Sequence, residues 1–307
     1  MERSPETPSL QISGESVASI FHDSRCILFR GFEATVEQFE QLTSSFTEDF
    51  LSYQGGGFTI GPFSRSTIND NKTLLTATGK TQEFALPLHG EMYYLGRPPD
   101  LIWFYCATPV TEGGETTIGD GAAIFRDLPE ETQNLFRERR IRYERHLSDG
   151  NWQLAYQTDD RSVVERFCCA NGLGLTWGDD GSAVTCYRCS ALRTDVHGNT
   201  CFINSLLVLA LTELAILSGD VATAVPEAAN LKPDFVVRWE EGSRIDPTIL
   251  KQIGKACGRN EVPISWQKGD ILMVDNRSIL HGRRQSSGRD RKILVRMGTL
   301  KGKAVAA

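Results

Sequence analysis

Three residues of this chain have the types and the spacing to hold a metal ion. His89 and Glu91 are separated by one glycine, and His281 lies close to the carboxyl end of the sequence. Two imidazoles and one carboxylate on one face of an Fe(II) ion leave three coordination positions for a co-substrate and O₂. The three side chains therefore predict a non-haem iron site that folding must assemble from distant segments.

The residues around His89 favour a strand. Leu86-Pro87-Leu88 precedes it, and Met92-Tyr93-Tyr94 follows Glu91. Side chains two positions apart on a strand point to the same side, so one short strand would supply two ligands. Such a tripeptide is common by composition, and the alternative is a solvated polar pair on a half-buried strand. His281 taken alone also has an alternative, a structural histidine near a strand end.

The composition is that of a globular protein without a basic surface. Of 307 residues, 39 are Asp or Glu and 33 are Lys or Arg, which gives a formal net charge of −6. This balance argues against nucleic acid as a partner. No apolar run reaches the ~18 to 20 residues of a membrane span, and the polar amino terminus lacks a signal-peptide core. We therefore expect no membrane partner, a cytoplasmic location, and a single domain over 1–307 whose tail frays over about 301–307.

Eight cysteines raise the question of a zinc or redox site. Cys186 and Cys189 have the C-x-x-C spacing, and the Cys168-Cys169 pair lies nearby. The segment 183–189 is typical of a strand, however, and residues three apart on a strand face opposite sides. No second C-x-x-C accompanies this one. We interpret the cysteines as reduced, packed thiols, with zinc or redox chemistry as the alternative.

The chain should form many short strands with some helices between them. Strands are expected at 26–29, 101–107, 174–178, 183–187, 199–203, 270–274 and 293–297. Helices are expected at 14–24, 36–50, 124–140, 163–170, 205–217 and 246–257, the last beginning with an Asp-Pro N-cap pair. This pattern favours a mainly β sandwich or barrel with flanking helices.

Several segments together resemble the TauD/TfdA family of Fe(II)/2-oxoglutarate-dependent dioxygenases, and within it the SyrP-like branch. The segments that carry the resemblance are Leu86-Pro-Leu-His-Gly-Glu-Met92, Gly113-Gly114-Glu115-Thr116, 152–158, 266–270, and Asp275-Asn276-Arg277 with His281-Gly282-Arg283. The resemblance covers about residues 25 to 298. It implies the family fold, a double-stranded β-helix or jelly roll with the metal at its mouth.

The resemblance implies that His89, Glu91 and His281 bind Fe(II) and carry the catalysis. The imidazoles must be neutral and the carboxylate ionised, so metal binding should weaken in acid. Glu91 also bears on the type of reaction. Relatives that halogenate have a small residue in its place, which opens a site for chloride, so the carboxylate here implies hydroxylation or a related oxidation.

The resemblance also implies 2-oxoglutarate as co-substrate, held at its far carboxylate by a hydroxyl and a cation. Thr116 resembles the hydroxyl donor, and a turn-capping threonine is the alternative. The family places an arginine after the distal histidine, where a planar guanidinium grips a carboxylate with two hydrogen bonds. Arg291 is the first choice, and Lys292 and Arg296, on one face of a strand, are the alternatives. Arg296 could instead meet a substrate carboxylate, and any of these cations could be solvated.

The implied substrate is a small molecule, an amino acid or an amino-acid-derived metabolite of natural-product biosynthesis, either free or tethered to a carrier. O₂ is the other reactant. Hydroxylation is the leading reaction, and desaturation, epoxidation or oxidative cyclisation is the alternative, because these outcomes depend on small differences in substrate placement. A non-catalytic barrel that binds a metal or metabolite, and a cupin-like zinc protein, are alternatives of a different class.

Further positions resemble parts of relatives that lie near the site. Trp152 is either core packing or a substrate contact, and Gln153 and Asn204 resemble positions close to the metal. Residues 55–84 begin with three glycines and are rich in Thr and Ser. They are expected to form a loop that helps to exclude water.

Overall fold

A computed structural model describes residues 14–57, 64–77, 84–110, 112–218, 220, 232–286 and 290–302. The strands within these ranges are β1 (Cys26–Phe29), β2 (Thr47–Glu48), β3 (Leu75–Thr76), β4 (Leu86–His89), β5 (Leu101–Thr108), β6 (Thr116–Asp120), β7 (Ile141–Leu147), β8 (Gly174–Trp177), β9 (Ala183–Cys189), β10 (Leu192–Thr194), β11 (Thr200–Phe202), β12 (Phe235–Trp239), β13 (Val262–Ile264), β14 (Ile271–Asp275), β15 (Ile279–Arg283) and β16 (Lys292–Leu300). The helices are α1 (Gly14–Ser24), α2 (Val36–Phe46), α3 (Gly121–Asp127), α4 (Glu130–Glu138), α5 (Asn151–Tyr156), α6 (Arg161–Ala170), α7 (Leu206–Ser218) and α8 (Pro247–Asn260).

Two antiparallel sheets enclose the main apolar core. The larger sheet has the strand order β1-β14-β5-β16-β2, with β3 paired to β16, and the second has the order β13-β6-β15-β4. Leu88 and Ile279 of the second sheet belong to the same core cluster as Phe104 and Val295 of the larger one. This arrangement is the jelly roll, so the predicted mainly β fold with flanking helices is confirmed. A third sheet, β12-β7-β9-β8, and the β10-β11 pair complete the strands described.

Strand β16 has a different core on each of its faces. Ile293, Val295 and Met297 belong to the core between the two sheets. Leu294 belongs to a second core, which contains buried residues of α1 and α2. Because side chains alternate along a strand, odd-numbered residues of β16 face the jelly-roll interior and even-numbered residues face the helical layer.

Two helix predictions were wrong in their extent, for local reasons. The helix expected at 36–50 ends at Phe46, because Thr47 is extended (φ −123°, ψ 138°) and begins β2. The helix expected at 124–140 is two helices, α3 and α4. Leu128 separates them in an extended conformation, and the residue before a proline is sterically kept out of the helical region.

The predictions about membrane spans, location, domain organisation and the tail have different outcomes. Among the helices in the described ranges, none has both the length and the apolar composition to cross a bilayer. The cytoplasmic location and the single-domain organisation stay predictions. Lys301 is held by a backbone hydrogen bond to Phe46 (3.0 Å), so fraying does not begin there, and residues 303–307 lie outside the described residues.

Candidate functional site

The structure brings His89, Glu91 and His281 together. His89 ends β4 and His281 lies in β15, where the two residues are directly opposite each other across the paired strands. One ligand atom from each of the three side chains lies within 4.8 Å of the others, and the imidazole ring centroids are 4.4 Å apart. All three residues are buried. Side chains from two strands and a turn therefore meet in one enclosed space.

Glu91 reaches this space from a turn, so the prediction that one strand carries both ligands was wrong. Strand β4 ends at His89, and residues 91–94 form a turn. Met92 has a φ of 59°, in the left-handed region, which reverses the chain immediately after the carboxylate. A Cβ on Gly90 would lie 2.6 Å from the Tyr93 ring, so the turn requires glycine between the two ligands.

Asn276 fixes the backbone of Glu91. The Glu91 N–H donates to Asn276 Oδ1 (2.8 Å), and Asn276 Nδ2 donates to the carbonyls of Glu91 (3.1 Å) and Pro99 (2.8 Å). Asn276 is fully buried, and within the described part of the chain its side-chain amide bonds to backbone groups of Glu91 and Pro99. Sequence reasoning noted this residue only as part of a motif, because its partners are far away in the chain.

His89 has one ring nitrogen available for a metal. Its Nδ1 lies 2.8 Å from the Pro87 carbonyl oxygen, which can only accept, so Nδ1 donates and carries the proton. Nε2 is buried and has no hydrogen-bond partner among the described residues. Burial, together with the neighbouring His281, lowers the pKa of His89 to about 3. A neutral imidazole held by a backbone carbonyl is the usual form of a metal-ligating histidine.

Glu91 is ionised. Burial alone would raise its pKa, but the positive charge of Arg65 and the hydrogen bond with His281 hold it well below the ordinary value. Arg65 Nη2 donates to Glu91 Oε2 (2.9 Å), and His281 Nε2 lies 3.5 Å from the same oxygen. The second carboxylate oxygen can accept a cation without breaking the Arg65 contact. This donor set of two imidazoles and one carboxylate fits Fe(II).

A second polar group lies further along the same sheet. Arg291 donates from Nε to the Gly114 carbonyl (2.7 Å) and from Nη2 to Thr116 Oγ1 (3.2 Å), and Trp266 Nε1 also donates to Thr116 Oγ1 (3.1 Å). A hydroxyl oxygen has two lone pairs, so these two donors leave the Thr116 O–H proton to be donated elsewhere. The hydroxyl and the guanidinium together form a binding site for an anion.

This anion site lies on the same face of the sheet as the histidines. In the pairing of β6 with β15, Ile118 is opposite His281 and Thr116 is opposite Arg283. Residues two apart on a strand share a face and are separated by roughly 7 Å. That separation is comparable to the length of an extended five-carbon diacid, which could reach from the three candidate ligands to Thr116.

Arg283 adds a second buried cation that the sequence prediction did not assign. Burial and the like charge of Arg283 lower the pKa of Arg291 to about 9, and burial lowers the pKa of Arg283 to about 10. Arg283 Nη2 donates to the Phe84 carbonyl (2.7 Å). Its position was available from sequence, because it lies two residues after His281 on one strand and so shares its face.

The other two cations proposed from the sequence lie away from this site, which corrects both alternatives. Lys292 is exposed. Arg296 is buried, but it donates to Thr43 Oγ1 (2.6 Å) and to the Glu40 carbonyl (3.0 Å) of α2, with Cζ 3.8 Å from the Phe50 ring centroid. Arg296 alternates with Val295 and Met297 and therefore belongs to the face of β16 that is turned toward the helical layer, whereas Lys292 begins the strand before a shift in its register.

The remaining positions from the resemblance have mainly structural contacts. Trp152 packs in a separate core, with its ring 5.1 Å from that of Trp177, and its Nε1 donates to the Gly181 carbonyl. Gln153 of α5 donates to Asp149 (3.0 Å), which lies just before that helix. Asn204 accepts from the Leu206 N–H at the start of α7.

The segment before α7 supports the turn between the candidate ligands. The Gly90 N–H donates to the Asn204 carbonyl (2.8 Å), and Ser205 Oγ donates to the Gly90 carbonyl (2.7 Å). Asn204 is therefore close to the site, as the resemblance implied, but it acts through its backbone.

The predicted loop at 55–84 is partly described. Residues 58–63 and 78–83 lie outside the described residues. Leu75 and Thr76 form β3 against β16, and Arg65 contacts Glu91, which sequence reasoning did not foresee. A polar, aperiodic stretch carries no sequence signal that singles out one arginine. A role in excluding water stays a prediction.

The cysteines form no metal or redox cluster among the described residues. All eight are free thiols. The one group of potential metal ligands found in the described part of the chain consists of His89, Glu91 and His281. Cys186 and Cys189 both lie on β9, three residues apart, and burial raises the pKa of Cys189 to about 12. Their interpretation as packed thiols fits Cys189, which is buried, whereas Cys186 is half-buried and Cys169 is exposed.

A cavity of about 550 Å³ lies apart from the candidate ligands. Its wall includes His146, Asp180, Glu213, Asp234 and Phe235, and none of the three candidate metal ligands. The chemistry of the donor set, rather than the size of a cavity, therefore locates the functional site.

Comparisons with known proteins agree with this geometry. The family described as "Taurine catabolism dioxygenase TauD, TfdA family" matches residues 4–297. The dapdiamide synthesis protein DdaC of Enterobacter agglomerans is 29% identical over 286 residues, covering 90% of this chain and 83% of that protein. A clavaminate synthase-like protein of Arabidopsis thaliana is 25% identical over 293 residues, covering 91% and 83%.

Solved structures share the fold at low sequence identity. PvcB from Pseudomonas aeruginosa superposes with a TM-score of 0.54 at 16% identity, covering 96% of this chain and 83% of that one. A taurine dioxygenase from Burkholderia xenovorans gives a TM-score of 0.54 at 13% identity, covering 97% and 85%. The SyrP-like branch stays a prediction. The match over nearly the whole chain establishes that it is an enzyme belonging to the TauD/TfdA family of Fe(II)/2-oxoglutarate-dependent dioxygenases.

Proposed function

We propose that His89, Glu91 and His281 bind Fe(II), and that Thr116 and Arg291 hold the far carboxylate of 2-oxoglutarate. The observation that carries the proposal is the convergence of the three ligand atoms within 4.8 Å of one another in a buried space. The contact of Arg291 with Thr116 on the same interior face supports the second part. Arg283, opposite Thr116 across the strands, adds positive charge at that end.

The protein's part in the reaction is to bind and orient. The metal and 2-oxoglutarate, once bound with O₂, supply the oxidising power, while succinate and CO₂ are released. Asn276 holds the Glu91 backbone, and the Pro87 carbonyl holds the proton of His89 on Nδ1. Burial of all three ligands excludes water from the reacting groups.

The proposed substrate is an amino acid or an amino-acid-derived metabolite of natural-product biosynthesis. DdaC is named for its part in dapdiamide synthesis, and it matches 90% of this chain. Hydroxylation is the proposed outcome, because Glu91 occupies the position that a halogenating relative would leave open to chloride. Desaturation, epoxidation or oxidative cyclisation is the alternative outcome of the same chemistry.

The test is a turnover screen with Fe(II), 2-oxoglutarate and O₂. Candidate amino acids, free and tethered to a carrier protein, are added one at a time, and succinate is measured. We expect one class of compound to stimulate succinate formation and to gain one oxygen atom in its product mass. A product that has lost two hydrogens instead would establish desaturation or ring closure.

Two controls separate this enzyme from a metal-binding barrel. Succinate formation without added substrate should require Fe(II) and disappear in His89→Ala. Metal analysis of anaerobically purified protein should find iron in preference to zinc. Tight zinc with no 2-oxoglutarate turnover would contradict the proposed function.

A further inference from the structure

Arg65 is a buried cation at the candidate metal site that the proposed chemistry does not use. Its side chain is 6% exposed, and that of its partner Glu91 is 3% exposed. It comes from the segment 64–77, whereas Thr116 of the anion site lies on β6. A loop has therefore placed a guanidinium beside a metal-ligating carboxylate.

The guanidinium of Arg65 is held in a defined orientation. Nη2 donates to Glu91 Oε2 (2.9 Å), and Cζ lies 4.5 Å from the centroid of the Tyr53 ring, which is a cation–π contact. Nη1 is buried and has no hydrogen-bond partner among the described residues. A buried charged donor without an acceptor is unfavourable, so this nitrogen is suited to receive an anion from a ligand.

The position of Arg65 distinguishes this anion from the far carboxylate of 2-oxoglutarate, which is proposed to lie at Thr116 and Arg291. Thr116 and Arg291 contact each other at one end of the site, whereas Arg65 contacts Glu91 at the other. A group bound at Arg65 would lie next to the metal ligands. A carboxylate there would hold the rest of a small molecule close to the reacting centre.

We propose that Arg65 is the specificity-determining residue that binds the substrate's carboxylate through Nη1 while Nη2 keeps its contact with Glu91. This inference rests on the proposed function and narrows it. The substrate then carries a free carboxylate, so an amino acid with its carboxyl group unmodified binds better than the matching amide or a carrier thioester. Sulfonates share the oxyanion chemistry, and the test separates them.

The test measures binding without turnover, by calorimetry on protein loaded with Mn(II) and N-oxalylglycine. The probes are the common L-amino acids, the primary amide of each, and taurine as a sulfonate. In the unchanged protein, we expect at least one amino acid to bind about tenfold or more tightly than its amide. In Arg65→Gln, this acid-to-amide ratio should fall to near one, while Arg65→Lys should keep part of it.

Three comparisons keep the inference falsifiable. Arg238→Gln makes the same change at a half-buried arginine paired with Glu213 (2.8 Å) on β12 of the third sheet, which carries none of the candidate site residues, and should leave the ratio unchanged. An unchanged ratio in Arg65→Gln would overturn the inference, as would an equal loss of affinity for acid and amide, which indicates a purely structural role. A preference for taurine over every amino acid would overturn the carboxylate assignment.

The same experiment distinguishes a refutation of this inference from a refutation of the proposed function. If N-oxalylglycine and Mn(II) bind the unchanged protein but no amino acid does, the role of Arg65 is refuted and the proposed metal and 2-oxoglutarate sites stand. If N-oxalylglycine does not bind, the proposed function itself is refuted, and the inference falls with it.

Discussion

Arg291 and Arg296 lie on either side of the larger sheet, and their surroundings differ although both are buried arginines in one stretch of chain. Arg291 contacts Thr116 and the Gly114 carbonyl inside the jelly roll. Arg296 contacts Thr43 and the Glu40 carbonyl in the helical layer. The interior arginine is on the same side as the histidines, whereas the outer one ties α2 to the sheet.

This difference shows that burial of a cation does not by itself identify a functional site. Burial lowers the pKa of Arg296 as it lowers that of Arg291. What separates the two residues is the group that each contacts, since Arg291 bonds to Thr116 on β6 and Arg296 bonds to Thr43 on α2. Substitutions of interior residues should therefore differ in their effects from matched substitutions in the outer layer.

The largest effect is expected for His89→Ala, which removes one of three ligands. Mn(II) affinity should fall by more than about 100-fold, since even the loss of a group that only orients a ligand costs roughly 10- to 100-fold. Equilibrium titration with Mn(II) measures the change. His22→Ala, on α1 in the outer layer, is the matched control and should bind Mn(II) normally.

Substitutions of Arg291 and Arg296 should also differ clearly in their effects on 2-oxoglutarate binding. Arg291→Gln should weaken 2-oxoglutarate binding by roughly 10- to 100-fold, because a charge-assisted hydrogen bond contributes about 1.5 to 3 kcal/mol. Arg296→Gln should leave 2-oxoglutarate binding unchanged and lower the free energy of unfolding by about 1 to 3 kcal/mol. Calorimetric titration and denaturant unfolding measure the two quantities. The reverse pattern would refute the assignment of Arg291 to the anion site and of Arg296 to the helical layer.

Asn276→Ala tests the support of Glu91. The change removes three hydrogen bonds, two of them to the Glu91 backbone, and should reduce Mn(II) affinity by roughly 10- to 100-fold. Titration of the folded variant with Mn(II) measures it, with folding checked by circular dichroism. Normal Mn(II) affinity would mean that the turn is fixed without this amide.

Thr116 contacts Arg291 and Thr43 contacts Arg296, so the two threonines form a second matched pair. Thr116→Val should weaken 2-oxoglutarate binding by up to about tenfold, because one hydroxyl donor is lost. Thr43→Val should not change it, and should lower the free energy of unfolding by about 1 kcal/mol. A change in 2-oxoglutarate affinity with Thr43→Val would contradict the separation of the two faces.

The smallest effect is expected for the cysteines. Burial raises the pKa of Cys189 and of Cys257 to about 12, so their thiolate fractions are very small at neutral pH and rise only toward pH 12. A thiol reagent at pH 7 to 8 should modify the exposed Cys169 first, with no effect on Mn(II) binding. Rapid modification of Cys189 in the folded protein would contradict its packed environment.

Sequence reasoning could predict the parts of the site that follow periodic patterns. The strand at 26–29 has the predicted bounds, and the strand around residues 293–297 was located although it extends further at both ends. His281 and Thr116 were found because each lies in a recognisable motif on a strand. The sequence alternation also predicts the face of β16 on which Arg296 lies, but only once Ile293 and Val295 are known to face the interior.

The rest depends on tertiary contacts that no local pattern encodes. Glu91 reaches the site through a turn in which Met92 has a left-handed conformation. The apolar residues 92–94 had instead indicated a strand. Arg65 is brought to Glu91 by a loop without periodicity, and Asn276 acts on a backbone far away in the chain. Such contacts are decided by how the sheets pack, so the sequence alone could not identify them.

The most direct measurement is a crystal structure of the protein with Mn(II) and N-oxalylglycine. We predict one metal ion bound by His89, Glu91 and His281, with the far carboxylate of N-oxalylglycine on Thr116 and Arg291. A metal ion bound elsewhere, or a carboxylate on Arg296 or Lys292, would contradict the account.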